Sequence, residues 1–342
     1  MKTAVMIGAG NIGRGFIGQV LSDSGYEIIF VDVDEMLIEQ LNCNGAYNLT
    51  LNDGESSTTR RIAPVRALCG RNTSAVAQAL ADCTIAAVAV GKNALPHVMP
   101  NLVAGLRKRG QVRPGNPLNL LICENIHKAS SYVRRLLTEH VLESESHLLE
   151  NIGLVETTIG RMVPVPTAIL RETDPTGILA EPYCRLPVDK KCFLGEIPEL
   201  LYTETFDPFA FYEEQKLYIH NMGHALCAYL GAEKDYQFIW QTMEDKDIRG
   251  EASRAMHTLA DAIAGAYDVD AAPLHELAED LLRRFANKQL GDTIARVAQD
   301  PLRKLAPGDR FLGAMERCKS QGLDCPAIER GIIAAWRYAE NI

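Results

Sequence analysis

Residues 3–13, TAVMIGAGNIG, decide the fold of this chain. An apolar run typical of a β-strand leads into a G-x-G-x-x-G turn, and residues 12–21 then follow a helical pattern. Glycines at such a turn let the backbone approach a pyrophosphate closely, and the N–H groups that begin the helix attract its negative charge. The stretch therefore predicts a Rossmann-type dinucleotide site whose binding residues are Gly8, Gly10, Asn11, Ile12 and Gly13.

A carboxylate, Asp32, follows the glycine turn by 19 residues, which is the spacing expected of a dinucleotide-binding site. The next predicted strand, residues 27–32, ends at Asp32, which we expect to accept hydrogen bonds from the adenosine ribose. A carboxylate there repels a 2′-phosphate, and residues 33–59 contain no Lys or Arg, so the sequence favours NAD over NADP. The alternative is a glycine-rich turn with an incidental surface Asp. Arg14 either lies over the phosphates or is solvated.

Further periodicity indicates an α/β chain with two domains. A helix is predicted at 35–41, and further strands are predicted at 84–90, 118–123 and 154–159. With the two earlier strands, these strands are expected to form a doubly wound, mostly parallel sheet. Prolines after residue 163 interrupt the pattern, so we predict a Rossmann domain over 1–165 and a mainly helical substrate domain over 166–342. Irregular β structure is expected at 178–195. Helices are expected near 209–231, 250–267, 272–286, 290–299 and 326–339.

Composition narrows the class of partner. With 44 acidic and 35 basic residues, the chain has a net charge of −9 and offers no basic field for nucleic acid or an anionic membrane. No apolar stretch approaches membrane-spanning length, and the N-terminal residues run into glycines before a signal-peptide core forms, so we expect a cytoplasmic protein. Nine scattered cysteines lack a C-x-x-C spacing, so neither a metal site nor a disulfide framework is predicted. The expected partner is a small molecule, and the protein is expected to be a monomer or a small homo-oligomer.

One predicted helix carries candidate chemistry. At about 100° per residue, Glu213, Lys216, Asn221 and His224 share one side of it. Oxidation of an alcohol needs a base for the hydroxyl proton and donors for the developing oxyanion. Lys216 can be that base if its surroundings lower the pKa of its ammonium group, Asn221 can donate to the oxygen, and His224 can orient substrate hydroxyls. The alternative is that Lys216 extends to solvent and His224 is a core histidine.

The pattern Lys216-x4-Asn221-x2-His224 resembles the signature of the polyol-specific long-chain dehydrogenases. Residues 8–18, 123–125, 188–190, 301–305 and 308–310 are also similar to stretches of that family, so the resemblance covers nearly the whole chain. It implies a metal-independent, NAD-dependent interconversion of a polyol phosphate and a ketose phosphate in an interdomain cleft. Mannitol 1-phosphate, which gives fructose 6-phosphate, is the first substrate to test.

The resemblance also implies roles for individual residues. Lys216 is the general base, and Asn125 and Asn221 polarise the reacting oxygen; Asn125 follows a predicted central strand, and its alternative role is a helix N-cap. Glu213 corresponds to a proton-conducting acid, or is a solvated residue at a helix start. Arg303, Lys304 and Arg310 are candidates for a phosphate clamp, although basic helix ends look similar in sequence.

Three departures from the family pattern keep other functions open. Gly160 stands where the resemblance implies an Asp, Met222 stands where it implies a Thr, and the chain ends several tens of residues earlier than expected. An unphosphorylated polyol, a sugar acid or a modified sugar is therefore an alternative substrate. An NAD-binding sensor without catalysis is a further alternative.

Overall fold

Strands and helices alternate through the first half of the chain. The computed structural model describes residues 2–341. The regular elements of the first unit are, in chain order, β1 (Lys2–Ile7), α1 (Gly18–Asp23), β2 (Tyr26–Asp32), α2 (Glu35–Asn44), β3 (Tyr47–Asn52), β4 (Ser57–Ile62), β5 (Val65–Cys69), α3 (Thr73–Asp82), β6 (Ile85–Val88), α4 (Leu95–Val112), β7 (Leu118–Ile122), α5 (Ala129–Thr138), β8 (Ile152–Glu156), α6 (Ala168–Thr173), β9 (Ile178–Ala180), β10 (Leu186–Pro187) and β11 (Thr203–Glu204).

A six-stranded parallel sheet is the centre of this unit. Its strand order is β5-β2-β1-β6-β7-β8, and each neighbouring pair is parallel. Alternate residues of β1 enter two separate cores, Ala4 and Met6 on one face and Val5 and Ile7 on the other. Burial on both faces explains why the central strands β1, β6 and β7 are mostly apolar. The predicted doubly wound parallel sheet is confirmed.

The sheet has a topological switch point beside β1. The chain leaves β1 toward β2 on one side and later returns to β6 on the other, so the loops after β1 and β6 diverge at the carboxyl edge. Ligands of open α/β sheets bind in the crevice that forms there. The glycine turn after β1 lies at that edge.

The first unit extends well beyond the predicted boundary at residue 165. Apart from the loop Asp53–Ser56, which groups with the second unit, it continues to Phe206. The reason is that β9 pairs with β3 in parallel, with Leu49 opposite Ile178, and that Ile178 and Leu186 belong to the core around Phe30. The prediction that a second domain begins at residue 166 is wrong, because these strands complete the first one.

The second unit is helical. Its helices are α7 (Ala210–Glu214), α8 (Met222–Ala232), α9 (Ile239–Glu244), α10 (Lys246–Tyr267), α11 (Ala272–Phe285), α12 (Ile294–Val297), α13 (Pro301–Lys304), α14 (Leu312–Ser320) and α15 (Pro326–Glu340).

The predicted mainly helical character of this unit is confirmed, although its predicted helix at 290–299 shrinks to the short α12. Gly291 before α12 has a φ of +57°, in the left-handed region that ends or interrupts helices. Within residues 2–341, no helix has the combination of length and apolar character that crossing a bilayer requires.

Helix α8 is buried at the centre of the unit. Residues 225–230 are at most 1% exposed, and Tyr229 donates a hydrogen bond from its hydroxyl to the carbonyl of Ala298. A π-helical segment, Gln215–Asn221, joins α7 to α8. The predicted single helix over 209–231 is therefore continuous but contains a wider turn, which shifts side chains relative to a regular α-helix.

Candidate functional site

The glycine turn of the first unit is shaped by backbone contacts. Gly8 has a φ of +99°, and a Cβ at Gly13 would lie 2.0 Å from the Gly8 carbonyl oxygen. A Cβ at Gly10, by contrast, would meet nothing within 4 Å. Two glycines are thus required by the fold, whereas Gly10 opens onto space in front of the turn. This open backbone surface fits a diphosphate that approaches closely, as the dinucleotide prediction requires.

Asp32 is fixed against the same turn. Its Oδ2 accepts a hydrogen bond from the Ala9 N–H at 2.7 Å, and its Oδ1 accepts one from the Val33 N–H at 2.7 Å. A carboxylate has about four acceptor positions, so capacity remains for a ribose hydroxyl. Arg71, which follows β5, lies near this region and pairs with Glu35 at 2.8 Å. Arg71 lies outside residues 33–59 in the sequence and reaches this region because β5 pairs with β2, with Cys69 opposite Asp32.

Arg14 follows neither of the two expectations from sequence. It is 6% exposed, its Nε donates to the Ala9 carbonyl at 2.6 Å, and its Nη1 donates to the carbonyl of Thr176. Tyr47 in turn donates to the Arg14 carbonyl at 2.6 Å. Arg14 therefore braces the glycine turn from within the protein, and it is neither solvated nor turned toward phosphates.

Asn125 lies just past the carboxyl end of β7 and is exposed. The following helix α5 has Lys128 as its N-cap residue, so Asn125 does not cap it. The preceding residue, Glu124, is 8% exposed and accepts hydrogen bonds from the N–H groups of Val90 at 2.7 Å and Gly91 at 2.8 Å. Burial raises the pKa of Glu124. It ties the loop after β6 to the strand end that carries Asn125.

The space at Gly160 is occupied by an aromatic ring. A Cβ at Gly160 would approach the Tyr183 Cε1 to 2.9 Å. The adjacent Arg161 is buried and donates to the Gly15 carbonyl at 2.9 Å and to Gln19 Oε1 at 2.8 Å. Tyr183 thus lies where an Asp side chain would extend from position 160.

In the second unit, the π-helical segment brings Lys216 onto a buried histidine. Lys216 Nζ lies 3.0 Å from His220 Nδ1, and His220 is 6% exposed. Burial is the main cause that lowers the pKa of His220 well below its usual range, and the nearby Lys216, Arg284, His224 and Arg310 act in the same direction. His220 is therefore a neutral imidazole at physiological pH. His220 follows Lys216 by four positions, about one helical turn, and this spacing is the signal in the sequence that could have predicted their contact.

His224 is held by groups that sequence reasoning did not find. Its Nε2 lies 2.9 Å from Asp292 Oδ2, within the distance of an ion pair. Its ring stacks on Phe285 with a centroid distance of 4.7 Å. Burial lowers the pKa of His224, although Asp292 opposes that effect. Asp292 also accepts a hydrogen bond from Arg296 Nε at 2.8 Å.

The acids that precede Lys216 have different surroundings. Glu214 accepts hydrogen bonds from Arg317 Nε at 2.8 Å, from Arg317 Nη2 at 2.6 Å and from the Tyr267 hydroxyl at 3.0 Å. Glu213 is half-buried and contributes to raising the pKa of Tyr267, after burial and Glu214. Asn221, at the end of the π-helical segment, is half-buried. Glu214 thus forms a two-point ion pair with Arg317, and the role of Glu213 as a proton-conducting acid stays a prediction.

The three basic residues predicted to bind phosphate differ in their contacts. Lys304 is buried and donates to the carbonyls of Val297 and Gln299, and burial lowers its pKa to about 8. Arg310 is buried, with its Nε 2.9 Å from Asp309 Oδ1. Arg303 has a 55% exposed side chain whose Nη1 is 3.5 Å from Asp309 Oδ2. The ammonium group of Lys304 is thus bound to two backbone carbonyls of the same chain, which argues against the prediction that Lys304 binds phosphate.

Across residues 2–341, no group of three or more His, Cys, Asp or Glu side chains is placed to hold a metal ion. The nine cysteines are all unpaired. Burial raises the pKa of Cys83, Cys123 and Cys227 to about 12, which leaves these thiols protonated.

Known proteins resemble this chain over nearly its full length. Residues 2–201 match the family model described as the mannitol dehydrogenase Rossmann domain, and residues 209–341 match that of the mannitol dehydrogenase C-terminal domain. Mannitol-1-phosphate 5-dehydrogenase of Brevibacillus brevis is 35% identical over 98% of this chain and 86% of its own length. The enzyme of that name from Bacillus subtilis is 31% identical over 98% of this chain and 87% of its own length.

Two solved structures share the fold at low sequence identity. A D-sorbitol dehydrogenase in substrate-free form superposes with a TM-score of 0.82 at 17% identity, covering 98% of this chain and 80% of that one. A mannitol 2-dehydrogenase of Pseudomonas fluorescens, in a ternary complex with NAD and D-mannitol, superposes with a TM-score of 0.72 at 18% identity, covering 98% of this chain and 78% of that one.

Proposed function

Because the chain belongs to the mannitol dehydrogenase family and is an NAD-dependent dehydrogenase, we propose that it interconverts a polyol phosphate and the corresponding ketose phosphate. The first pair to test is mannitol 1-phosphate and fructose 6-phosphate, since relatives at 31–35% identity carry the name of that activity. The observation that carries the proposal is the geometry of the second unit, where Lys216 Nζ lies 3.0 Å from Nδ1 of the buried His220 and the rings of His220 and His224 have a centroid distance of 6.2 Å.

In this proposal the glycine turn and Asp32 hold NAD. The open surface at Gly10 receives the diphosphate, and Asp32 accepts hydrogen bonds from the adenosine ribose. Bound there, NAD would supply the acceptor for the hydride that leaves the carbinol carbon of the substrate. The carboxylate of Asp32 disfavours the additional phosphate of NADP.

The chain's own part in the oxidation is to move a proton and stabilise an oxygen. The O–H bond of the substrate breaks as the Lys216 amine takes up the proton and forms a new N–H bond. Asn221 and Asn125 are proposed to donate amide hydrogen bonds to that oxygen as it becomes a carbonyl. Glu213 is proposed to pass the proton from Lys216 toward water. His224 is proposed to orient a substrate hydroxyl from its position against Phe285 and Asp292.

Arg310 and Arg303 are the proposed phosphate ligands. Both lie against Asp309, because Arg310 Nε is 2.9 Å from Asp309 Oδ1 and Arg303 Nη1 is 3.5 Å from Asp309 Oδ2. Guanidinium groups match the planar geometry of phosphate oxygens. A phosphate there would share these cations with Asp309.

One observation favours a second candidate substrate. Tyr183 occupies the position that an Asp at residue 160 would need, so an interaction implied by the family pattern is replaced by an aromatic ring. The alternative is the same hydride transfer on an unphosphorylated polyol, a sugar acid or a modified sugar. Met222, the other departure, is 0% exposed, so this residue packs in the core and supports no change of substrate.

A screen of NAD reduction separates these possibilities. Mannitol 1-phosphate, other hexitol phosphates, mannitol, sorbitol and hexonates are each supplied to the protein with NAD or NADP, and kcat/KM is measured. We expect the phosphates to exceed the free polyols by at least tenfold, with NAD preferred. Equal rates with and without the phosphate would contradict the phosphate assignment.

Lys216→Met provides the complementary arm. Loss of the base should lower turnover by about a thousandfold, while NADH binding, followed by fluorescence, stays within about twofold of the natural protein. Turnover that persists in this variant would remove Lys216 as base. Absence of turnover with every substrate in the natural protein, together with intact NADH binding, would instead favour the sensor alternative.

A further inference from the structure

We propose that His220 is a positioning residue for Lys216, because its Nδ1 holds one N–H of the lysine side chain and so fixes the direction of the nitrogen lone pair. The inference rests on the proposed function, since it requires Lys216 to act as the base. Neither the spacing pattern of the sequence nor any role assigned above uses this histidine.

The contact between Lys216 and His220 is short, and the histidine is buried. Lys216 Nζ and His220 Nδ1 are 3.0 Å apart, which is hydrogen-bond distance. His220 is enclosed, with the ring centroids of Phe285 at 5.9 Å and His224 at 6.2 Å. Phe285 also stacks on His224, so the same ring supports both histidines. A flexible four-carbon lysine chain is thereby attached to a ring that packing holds in place.

The numbers of donors and acceptors on the two side chains set the direction of the hydrogen bond between Lys216 and His220. A lysine ammonium group has three donors and no acceptor, so Nδ1 of His220 must be the acceptor while Lys216 is charged. The neutral amine keeps two N–H groups, one of which can stay on Nδ1. Its lone pair then points away from His220, where it can receive the hydroxyl proton of a substrate. The histidine therefore orients the base in both of its protonation states.

The surroundings of His220 argue against a role as a proton carrier. Lys216 on the same π-helical segment, His224 on α8, Arg284 on α11 and Arg310 before α14 are the charged or titratable groups that act on it. Together with burial they lower the pKa of His220 well below its usual range. A protonated imidazole is thus an unfavourable intermediate, so His220 orients the base and does not carry its proton.

Replacement of His220 tests this role. His220→Phe keeps a ring of similar size but has no acceptor, whereas His220→Asn places an amide oxygen near the position of Nδ1. We expect His220→Phe to lower kcat for mannitol 1-phosphate by about 10- to 100-fold with KM within about twofold. Loss of an acceptor for the ammonium should also move the acid limb of the kcat/KM profile to lower pH by about one unit.

The conservative variant and a matched control complete the experiment. His220→Asn should recover at least half of the lost log kcat and restore the natural pH profile. His257 is a partly exposed histidine on α10, so the control variant His257→Phe should leave kcat and the pH profile unchanged. Thermal unfolding of each variant identifies folding defects. If His220→Phe does not fold, the pH profile of His220→Asn compared with His220→Gln decides the matter, because Gln cannot place an acceptor at the position of Nδ1.

Three outcomes would overturn the proposal. They are a folded His220→Phe with natural kcat and pH profile, a folded His220→Asn as impaired as His220→Phe, and a folded His220→Gln with the same profile as His220→Asn. Failure of the proposed function is distinguishable, because it would appear as turnover that survives in Lys216→Met. Loss of turnover in Lys216→Met with no response to His220→Phe would contradict only the positioning role.

Discussion

Oδ2 of Asp32 and the backbone N–H of Ala9 are joined by a hydrogen bond of 2.7 Å. This contact connects the carboxyl end of β2 to the middle of the glycine turn after β1. The group proposed to recognise the ribose therefore also holds the turn proposed to receive the diphosphate. Substitutions at Asp32 must separate these two effects.

Asp32→Ala should weaken NAD binding by about 10- to 100-fold, because hydrogen bonds to a charged acceptor are lost. It should also reduce the preference for NAD over NADP. Asp32→Asn keeps an acceptor oxygen without the charge, so we expect it to relax the preference with a smaller loss of affinity. Dissociation constants from fluorescence titration and thermal unfolding without cofactor provide the measurements. An unchanged preference in both variants would show that Asp32 serves the turn alone.

Gly10→Ala and Gly13→Ala form a matched pair. A methyl group at residue 10 enters open space, so Gly10→Ala should keep the unfolding temperature of the cofactor-free protein within about 2 °C. It should nevertheless weaken NAD binding at least tenfold, because the methyl group occupies the surface proposed for the diphosphate. Gly13→Ala would place its Cβ against the Gly8 carbonyl and should lower the unfolding temperature. Natural NAD affinity in Gly10→Ala would contradict the assigned surface.

Arg303→Gln tests the phosphate clamp with little risk to folding, since the Arg303 side chain is 55% exposed. We expect KM for mannitol 1-phosphate to rise about tenfold, because one charged ligand of the phosphate is lost. Oxidation of mannitol, measured in the same assay, should not change. Arg337→Gln, which removes an exposed partner of Glu233, is the control and should affect neither substrate. Equal effects on both substrates would show that Arg303 does not recognise phosphate.

Asp245 provides a pH-dependent contribution to stability. It accepts hydrogen bonds from Lys234 Nζ at 2.6 Å and from the N–H groups at the start of α10, and the bond from Lys234 is the main cause that lowers its pKa to about 2. A carboxyl with a depressed pKa stabilises the folded state above its unfolded pKa of about 3.9. That contribution is lost as the pH falls from about 4 through about 2.

Asp245→Asn should therefore unfold about 1 to 3 °C lower at pH 7, a modest change because the ion pair is partly solvated. The difference from the natural protein should shrink below pH 4 and vanish near pH 2. Asp324→Asn, at an exposed position, is the control. A difference that is the same at pH 7 and pH 2 would indicate loss of packing, with no part for the charge.

Local patterns were enough to predict the elements around the cofactor site. β1, the glycine turn and β2 follow from a few adjacent residues, and β6 and β7 are recognisable because burial on both faces makes them almost wholly apolar, with Asn119 of β7 as the exception. β3 and β4 were not predicted. The side chains of β4, STTRRI, are mostly exposed and polar, so this strand lacks an apolar pattern of its own. Its partner β3 contributes the apolar side chains of the pair.

Contacts between distant residues could not be predicted from the sequence. The buried guanidinium of Arg14 donates a hydrogen bond to the carbonyl of Thr176. Asp292, in the loop before α12, contacts His224. Neither partner is marked by any spacing. The π-helical turn that contains Lys216 also escapes a pattern based on about 100° per residue, although the proximity of Lys216 and His220 agrees with their separation by four positions.

The pairing of β9 with β3 determines where the molecule can be divided. A fragment that stops at residue 165 would expose the edge of β3 and the apolar side chains that Ile178 and Leu186 cover, and such an uncovered edge promotes aggregation. Expression of the nucleotide-binding half by itself should accordingly use a cut after Phe206.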